Sequence, residues 1–340
     1  MTSLSKAPPV SVLLPVRDGS AHLEEAIGSL ERQSFGDFEV LAIDDGSVDD
    51  SYEKLSAWAS RDARVTVIRQ DARGIVAALE VARRVARGKY LARMDADDVS
   101  DSTRFARQYE RMESDATLAL CGCRVEYFPR ERVRGGALRY EAWINSTSTH
   151  EQLTREIFVE CPIAHPTFFM RSDAVAAVGG YRDRGWPEDY DLVFRMWRAG
   201  RRLGVVAEPL LRWREGEARM SRTDPTYAHD AFRRCKVHYL LEAFPAAARG
   251  VLIWGAGPVG KALAKELTAQ GAALSGFAEV DPRKIGQQIH GVPVLDTAQA
   301  LAERGFFHVG AVGQSGAREQ LRTLLSGGGF EEMKSFVVMA

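Results

Sequence analysis

Between Val10 and Met94, short apolar runs alternate with amphipathic stretches of helical period, and no other feature of the chain constrains its fold as much. The runs Val10 to Leu14, Phe38 to Ile43, Val65 to Ile68 and Tyr90 to Met94 predict strands, and Leu23 to Gln33, Tyr52 to Ala59 and Ile75 to Ala86 predict the helices between them. Successive βα units of this kind specify the α/β class, with a mainly parallel central sheet covered by helices. In such sheets a ligand sits beyond the carboxyl ends of the strands. Polar segments stand at those ends: Pro15-Val16-Arg17-Asp18 after the first strand, Asp44-Asp45-Gly46-Ser47 after the second and Asp95-Ala96-Asp97-Asp98 after the fourth. One such aspartate is an ordinary turn residue or cap, but three polar loops converging on one edge point to a binding site.

Further along, the pattern predicts a helix to about Ser114, a strand from Ala119 to Tyr127 and an irregular, arginine-bearing segment to about Tyr140. A helix ending at Gly200 contains Glu188-Asp189-Tyr190-Asp191, and an amphipathic stretch covers Tyr227 to Phe244 before a linker at Pro245. At Val251 a fresh strand opens into Gly255-Ala256-Gly257-Pro258-Val259-Gly260, followed by a helix through Gln270 and a strand to Val280. That is a new Rossmann-like start, and apolar segments at Val292 to Leu295, Val309 to Val312 and Phe336 to Val338 complete a small α/β domain. The expectation is a large domain over 1–245 and a smaller Rossmann-like one over 246–340, which suits a chain of 340 residues.

The formal net charge of −1 lacks the basic excess of a protein that grips nucleic acid chiefly through phosphates. The local run Arg130, Arg132, Arg134 and Arg139 reads foremost as a solvated face. Cys121, Cys123, Cys161 and Cys235 form no C-x-x-C pair, which argues against a zinc site. The first residues lack the apolar core of a signal peptide and no stretch approaches the roughly 20 apolar residues of a membrane span, so a cytoplasmic location is expected.

Asp95, Asp97 and Asp98 offer hard oxygen ligands of the kind that Mg²⁺ or Mn²⁺ takes beside a diphosphate, although the cluster read alone is a turn as often as a metal site. The segments VSVLLPVRDGSAHLEEAIGSLERQSFGDFEVLAIDDGSVDDS, GKYLARMDADD and WPEDYDL, in that order over roughly residues 8 to 225, resemble the successive signatures of the family-2 glycosyltransferases of the GT-A fold. The resemblance implies an inverting transfer of a sugar from a nucleotide-diphosphate sugar, a UDP-sugar by expectation, to an acceptor hydroxyl. It places Pro15 beside the base, Asp45 in hydrogen bonding to the base and Arg73 in the loop flanking it, with Arg17 in the same nucleotide-sugar group. It sets Asp95 toward the ribose or sugar, Asp97 on the metal and Arg93 near the diphosphate, where a strand-end ion pair with an aspartate is an equal alternative. His165, in HPTFF, matches the segment lining the sugar and acceptor side. Asp189 becomes the general base, with Glu188 beside it at the nucleotide-sugar site; without the family context the two would simply begin a helix. Trp213-Arg214 matches an aromatic-arginine step that precedes a His in many relatives, yet Glu215 follows here, which puts a diphosphate contact from Arg214 in doubt.

Short segments, ALCGCRVEYF, RYEAWIN, HEQLTREIF and VLIWGAGPVGK, and the domain order resemble those of queuosine-tRNA galactosyltransferases. A modified tRNA therefore stands among the implied acceptors beside saccharides and small molecules. In the C-terminal part, Gly255, Gly257, Gly260 and Glu279 have the spacing of a dinucleotide turn and would suit NAD, but no residue pattern for hydride transfer follows. A structural or dimerising module is the expectation there, a homodimer being the implied assembly. The alternative function is an NAD-binding oxidoreductase or a nucleotide-sensing module centred on that domain.

Overall fold

Strand β1 spans Val10–Val16 and β2 spans Phe38–Asp45, and both are buried almost throughout, as parallel strands covered on two faces must be. With β3 (Val65–Gln70) and β4 (Tyr90–Arg93) they form a parallel half-sheet in the order β3-β2-β1-β4. Helices α1 (Ser20–Glu31), α2 (Ser51–Arg61) and α3 (Ile75–Val85) make the crossovers. In the register, Val16 lies opposite Asp44 and Leu13 opposite Arg93, so the polar loops after β1, β2 and β4 emerge at one edge.

The computed structural model describes residues 7–216, 219–314 and 316–340, the side chains of Met220 and Ser221 aside. It divides into two units. The first holds the chain up to Leu153, Pro162–Arg184 and Asp191–Arg222; the second holds Thr154–Cys161, Gly185–Tyr190 and Thr223–Ala340. The helix His229–Ala243 thus falls in the same unit as the glycine-rich turn.

In the first unit β5 (Val99–Ser100), β6 (Leu118–Phe128), β7 (Phe169–Arg171) and β8 (Arg202–Arg214) extend the sheet to the order β3-β2-β1-β4-β7-β6-β8-β5. The pairs β4–β7, β7–β6 and β8–β5 are antiparallel, and β6–β8 is parallel. Gln33, at the end of α1, fixes the start of α4 (Arg104–Ser114). Its Nε2 donates to the Asp101 carbonyl at 2.6 Å and to Ser100 Oγ at 3.1 Å, while its Oε1 accepts from the Phe105 N–H at 3.1 Å. The last of these gives a partner to an N–H at the first turn of α4, where no intrahelical acceptor exists. Trp58, Phe105 and Phe38 fill the core beneath, the two phenylalanine rings meeting edge to face.

Two local expectations change. β4, expected to run to Met94, ends at Arg93, and Asp95 to Asp98 lie outside the strand. The segment after Arg134, expected to be irregular, holds a helix over Gly136–Ile144. Its Glu141 accepts from the Tyr127 N–H at 2.8 Å and from Arg130 at 2.7 Å, and Tyr140, Trp143 and Ile144 pack on the core, so tertiary contacts sustain a helix of only nine residues.

The second unit has β9 (Val251–Trp254), β10 (Leu274–Ala278), β11 (Gln288–Ile289), β12 (Val292–Leu295), β13 (Phe307–Gly310) and β14 (Phe336–Val338) in the order β11-β12-β10-β9-β13-β14, parallel except for β11–β12. Its glycines are not equivalent. Gly255 has φ +112°, and a Cβ at Gly260 would stand 1.9 Å from the Gly255 carbonyl oxygen, so both are required by the turn. Gly257 has φ −83° and nothing within 4 Å of a Cβ position, so the turn does not require a glycine there, although the spacing groups it with the other two. Glu279 accepts from the Ala256 N–H at 3.2 Å and from Lys284 at 2.9 Å, tying the turn to the end of β10. All four cysteines are buried and unbridged, and burial pushes the Cys121 thiol up to about 12. No helix among the described residues is long and apolar enough to cross a membrane.

Candidate active site

The loops after β1 and β2 are zipped together by small polar side chains. The Asp18 N–H donates to Ser47 Oγ at 3.0 Å, the Val48 N–H to Asp18 at 2.8 Å and the Gly19 N–H to Ser51 Oγ at 2.9 Å. Asp49 accepts from the N–H groups of Ser20 and Ser51, the opening residues of α1 and α2. Although burial opposes it, these bonds hold the Asp49 carboxyl at about 2. Pro15 is half-buried and Arg17 exposed on the rim these loops make.

Asp45, at the end of β2, is buried and already accepts three hydrogen bonds: Gln70 Nε2 at 2.6 Å and the N–H groups of Arg73 and Gly74, both at 2.8 Å. It shapes the loop after β3 and leaves lone-pair capacity for one further donor. Arg73 is anchored there by its backbone, and its side chain belongs to an exposed residue. The neighbouring Asp44 is fully buried with Arg69 Nε at 3.1 Å as an ion pair, off hydrogen-bonding alignment.

After β4 three carboxylates crowd together. Burial, then the charge of Asp95, raise Asp97 to about 6, in spite of Arg219 and Arg214 nearby. Asp98 is buried and raised well above its ordinary value by burial, then by Asp95 and Asp97; its Oδ1 accepts the Arg214 N–H at 2.8 Å. Asp98 Oδ2 is buried and has no hydrogen-bond partner among the described residues. Arg93, itself buried, donates to Asp95 at 2.5 Å and to the Met94 carbonyl, and Arg104 donates to the Arg93 carbonyl at 2.5 Å, so two buried guanidinium groups underlie the acidic turn. For Arg93 the strand-end ion pair is the arrangement present. His165 is buried against Phe168, its Nε2 lies 3.2 Å from Tyr181 Oη, and burial with the Arg93 charge keeps its ring well below 6.5 and neutral.

The last strand closes the turn. Arg214 Nε donates to the Asp97 carbonyl at 2.6 Å and its Nη2 meets Glu25, so this guanidinium is committed to holding the loop. Glu215, where a His was looked for, is buried and paired with Arg219 at 3.3 Å and with Arg222. Arg219 lies 4.5 Å over Trp213, which stacks on Tyr127. Sequence reasoning passed over Arg104, Gln33 and Arg219. The available signals were a buried-face arginine on an amphipathic helix and the i, i+4 spacing of Glu215 and Arg219.

The carboxylate crowding suits a hard divalent cation. Among the described residues no group of three or more His, Cys, Asp or Glu side chains stands ready to coordinate one, so the remaining ligands would be diphosphate and water oxygens, as Mg²⁺ commonly takes them.

Residues 11–179 match the family described as glycosyl transferase family 2. The chain carries a family-2 glycosyltransferase domain. Its relatives include the uncharacterized glycosyltransferase EpsJ of Bacillus subtilis, 37% identical over 34% of this chain and 33% of that protein. Another is the amylovoran biosynthesis glycosyltransferase AmsE of Erwinia amylovora, 27% identical over 61% of this chain and 76% of the relative. The match thus spans only a third of EpsJ. S. aureus TarS 1-349 in complex with UDP-GlcNAc superposes with a TM-score of 0.56 at 15% identity, covering 68% of this chain and 66% of that one. The mannosyltransferase PcManGT from Pyrobaculum calidifontis, in complex with GDP-Man and Mn²⁺, gives 0.50 at 17% identity, covering 96% and 82%. These likenesses establish the GT-A fold. Within the family-2 domain, Pro15, Arg17, Asp45, Arg73, Arg93, Asp95, Asp97 and His165 all lie in the first unit, on or beside the loops at the carboxyl edge of the sheet. Glu188 and Asp189, which fall in the second unit, open the helix Glu188–Arg198, whose residues from Asp191 onward fall in the first; buried Glu188 accepts from Tyr227 Oη at 2.7 Å. Asp189 accepts from the Tyr190 N–H at 2.7 Å, a contact with the helix start.

Proposed function

We propose that the chain is an inverting, metal-assisted hexosyltransferase that moves a sugar from a nucleotide-diphosphate sugar, a UDP-sugar first of all, to an acceptor hydroxyl. The observation that carries this is the acidic turn Asp95 to Asp98 at the carboxyl edge of a GT-A sheet, half-buried with Asp98 fully so, and held by Arg93 and Arg214. Bound Mg²⁺ or Mn²⁺ supplies charge neutralisation of the departing diphosphate. Asp97 would hold that ion, with Asp95 toward the ribose or sugar, and Asp45 with Pro15, Arg17 and Arg73 would frame the base.

In the reaction the acceptor oxygen bonds to the anomeric carbon as the bond from that carbon to the phosphate oxygen breaks, inverting the centre. The acceptor proton passes to a carboxylate, for which we assign Asp189 on its place in WPEDYDL, and the nucleoside diphosphate leaves with the bonding electrons. Glu188 and His165 belong to the same proposed site. Acceptors of three kinds fit the chemistry: a saccharide, a hydroxylated small molecule or a modified tRNA nucleoside. The homodimer and the cytoplasmic location stay part of this reading. For an NAD-dependent oxidoreductase no structural observation speaks: Glu279 already binds the turn backbone and Lys284.

The test is release of nucleotide from a panel of UDP- and GDP-sugars with Mn²⁺, in the wild type and in Asp97→Ala. Turnover with one donor, abolished in Asp97→Ala with the melting profile retained, is the expected result. Equal Mn²⁺-dependent turnover in Asp97→Ala would remove Asp97 from the metal site, and no turnover or donor binding with any sugar would overturn the proposal.

A further inference from the structure

The second unit carries a cavity of about 490 Å³ bounded by the helix His229–Ala243, through Arg233, and by the helix Pro258–Ala269, through Pro258, Lys261, Lys265 and Glu266. Its size lies within the usual span for small-molecule sites, roughly 300 to 1,000 Å³. Lys261 and Lys265 are one helical turn apart and so share a face, and Arg233 lines the same cavity from the other helix.

Many cations among the described residues are matched by a carboxylate. Arg234, the immediate neighbour of Arg233, pairs with Asp230 at 2.6 Å, and Arg322 and Arg155 share Glu319 and Glu332. Arg233, Lys261 and Lys265 have no ion-pair partner among the described residues, and Arg233 Nε is buried without an acceptor. The one anion of the lining, Glu266, accepts from Gln270 Nε2 at 2.8 Å. Three cations thus face one carboxylate that is already engaged. The cavity begins at Pro258, where the positive end of the helix dipole adds to the same sign. A half-buried guanidinium whose Nε has no acceptor, lining the same cavity as two exposed ammonium groups without an ion-pair partner, is matched chemically by a group carrying several oxygens and more than one negative charge.

We propose that this cavity is an anion site that takes a phosphate-bearing small molecule of up to nucleoside-diphosphate size, held by Arg233, Lys261 and Lys265. It is separate from the acidic donor loop of the first unit, and it does not rest on the transfer reaction. The phosphates are the recognised element, so affinity should follow phosphate number and be indifferent to the base.

The experiment titrates the full chain with inorganic pyrophosphate by calorimetry in EDTA, where the acidic turn has no cation with which to attract it. One saturable site is expected, weakened about ten-fold or more in Lys261→Gln/Lys265→Gln and in Arg233→Gln, retained in Lys261→Arg/Lys265→Arg and unchanged in Asp97→Ala. Thermal melts matching the wild type certify that the variants fold. UDP should bind better than UMP, uridine should not bind, and ADP should match UDP. Absence of saturable pyrophosphate binding, or binding indifferent to both glutamine variants, overturns the proposal. So does a short single-stranded RNA that binds through these residues when pyrophosphate does not, since the surface would then serve a polyanion.

Discussion

Arg214 holds two points of the acidic loop and ties it to α1: its backbone N–H donates to Asp98, its Nε to the Asp97 carbonyl and its Nη2 to Glu25 of α1. Removing that guanidinium leaves the carboxylates in place but unclamped, and misplacement of about 1 Å in such a group costs up to about 10²-fold in rate. Arg214→Met is therefore expected to lower kcat/KM for the nucleotide-sugar by about 10- to 100-fold while the melting temperature stays within a few degrees; steady-state kinetics with a calorimetric melt reads both. Donor binding that collapses while the clamp geometry persists would instead make Arg214 a diphosphate ligand. Asp189 calls for a different signature. Asp189→Asn keeps the shape and the bond to the Tyr190 N–H but loses the proton acceptor, so donor affinity should persist while transfer falls by about 10²- to 10⁴-fold. Near wild-type transfer at saturating donor and acceptor would reduce Asp189 to a helix cap and leave Asp191 to be considered. Against Asp191 stands its bond to Arg195 at 2.7 Å, which commits that carboxylate within the helix.

At the scale of elements, the glycine-rich turn shows why spacing alone does not rank its members. Gly260→Ala sets a methyl against the Gly255 carbonyl, so the second unit should lose stability by about 3 kcal/mol or more, while Gly257→Ala, with open space around it, should shift stability by less than about 1 kcal/mol. Chemical denaturation of the two variants separates them, and equal losses would refute the turn geometry. The same contrast governs how much of the fold was legible. β1, β2 and the helices between the parallel strands were visible within a few residues, because apolar runs and 3.6-residue periods are local signals. The helix Gly136–Ile144 was not, since Glu141 is fixed by Tyr127 and Arg130, and Tyr140 and Trp143 by packing on a strand that local pattern does not reveal. The edge on which Asp45 and Asp97 stand was readable from the end-of-strand rule. The roles of Gln33, Arg104 and Arg214 as its supports were not, because each acts on a partner distant in sequence: Ser100, Arg93 and Asp97.

Across the molecule, 45 Lys and Arg balance 46 Asp and Glu, so no bulk field draws an anionic donor toward the chain. What the first unit offers at the carboxyl edge of its sheet is locally acidic, with Asp97 raised to about 6 by burial and by Asp95. On the proposed reading, a diphosphate brought to that edge meets like charge from the carboxylates, which a divalent cation between the two would offset. Donor binding and metal binding should for this reason be one event in the thermal stability of the protein. At a hundredfold excess over Kd, a ligand that binds the folded chain alone stabilises it by about 2.7 kcal/mol, equivalent to roughly 5 to 10 °C for a unit of this size. UDP with Mn²⁺ is expected to raise the melting temperature by that order, and Mn²⁺ alone by much less. UDP in EDTA should give at most the small shift contributed by the Arg233, Lys261 and Lys265 cavity, which Lys261→Gln/Lys265→Gln removes. If UDP in EDTA gives the full shift in that double variant as well, the diphosphate is recognised in the first unit without a cation, and the acidic turn must act on the sugar instead.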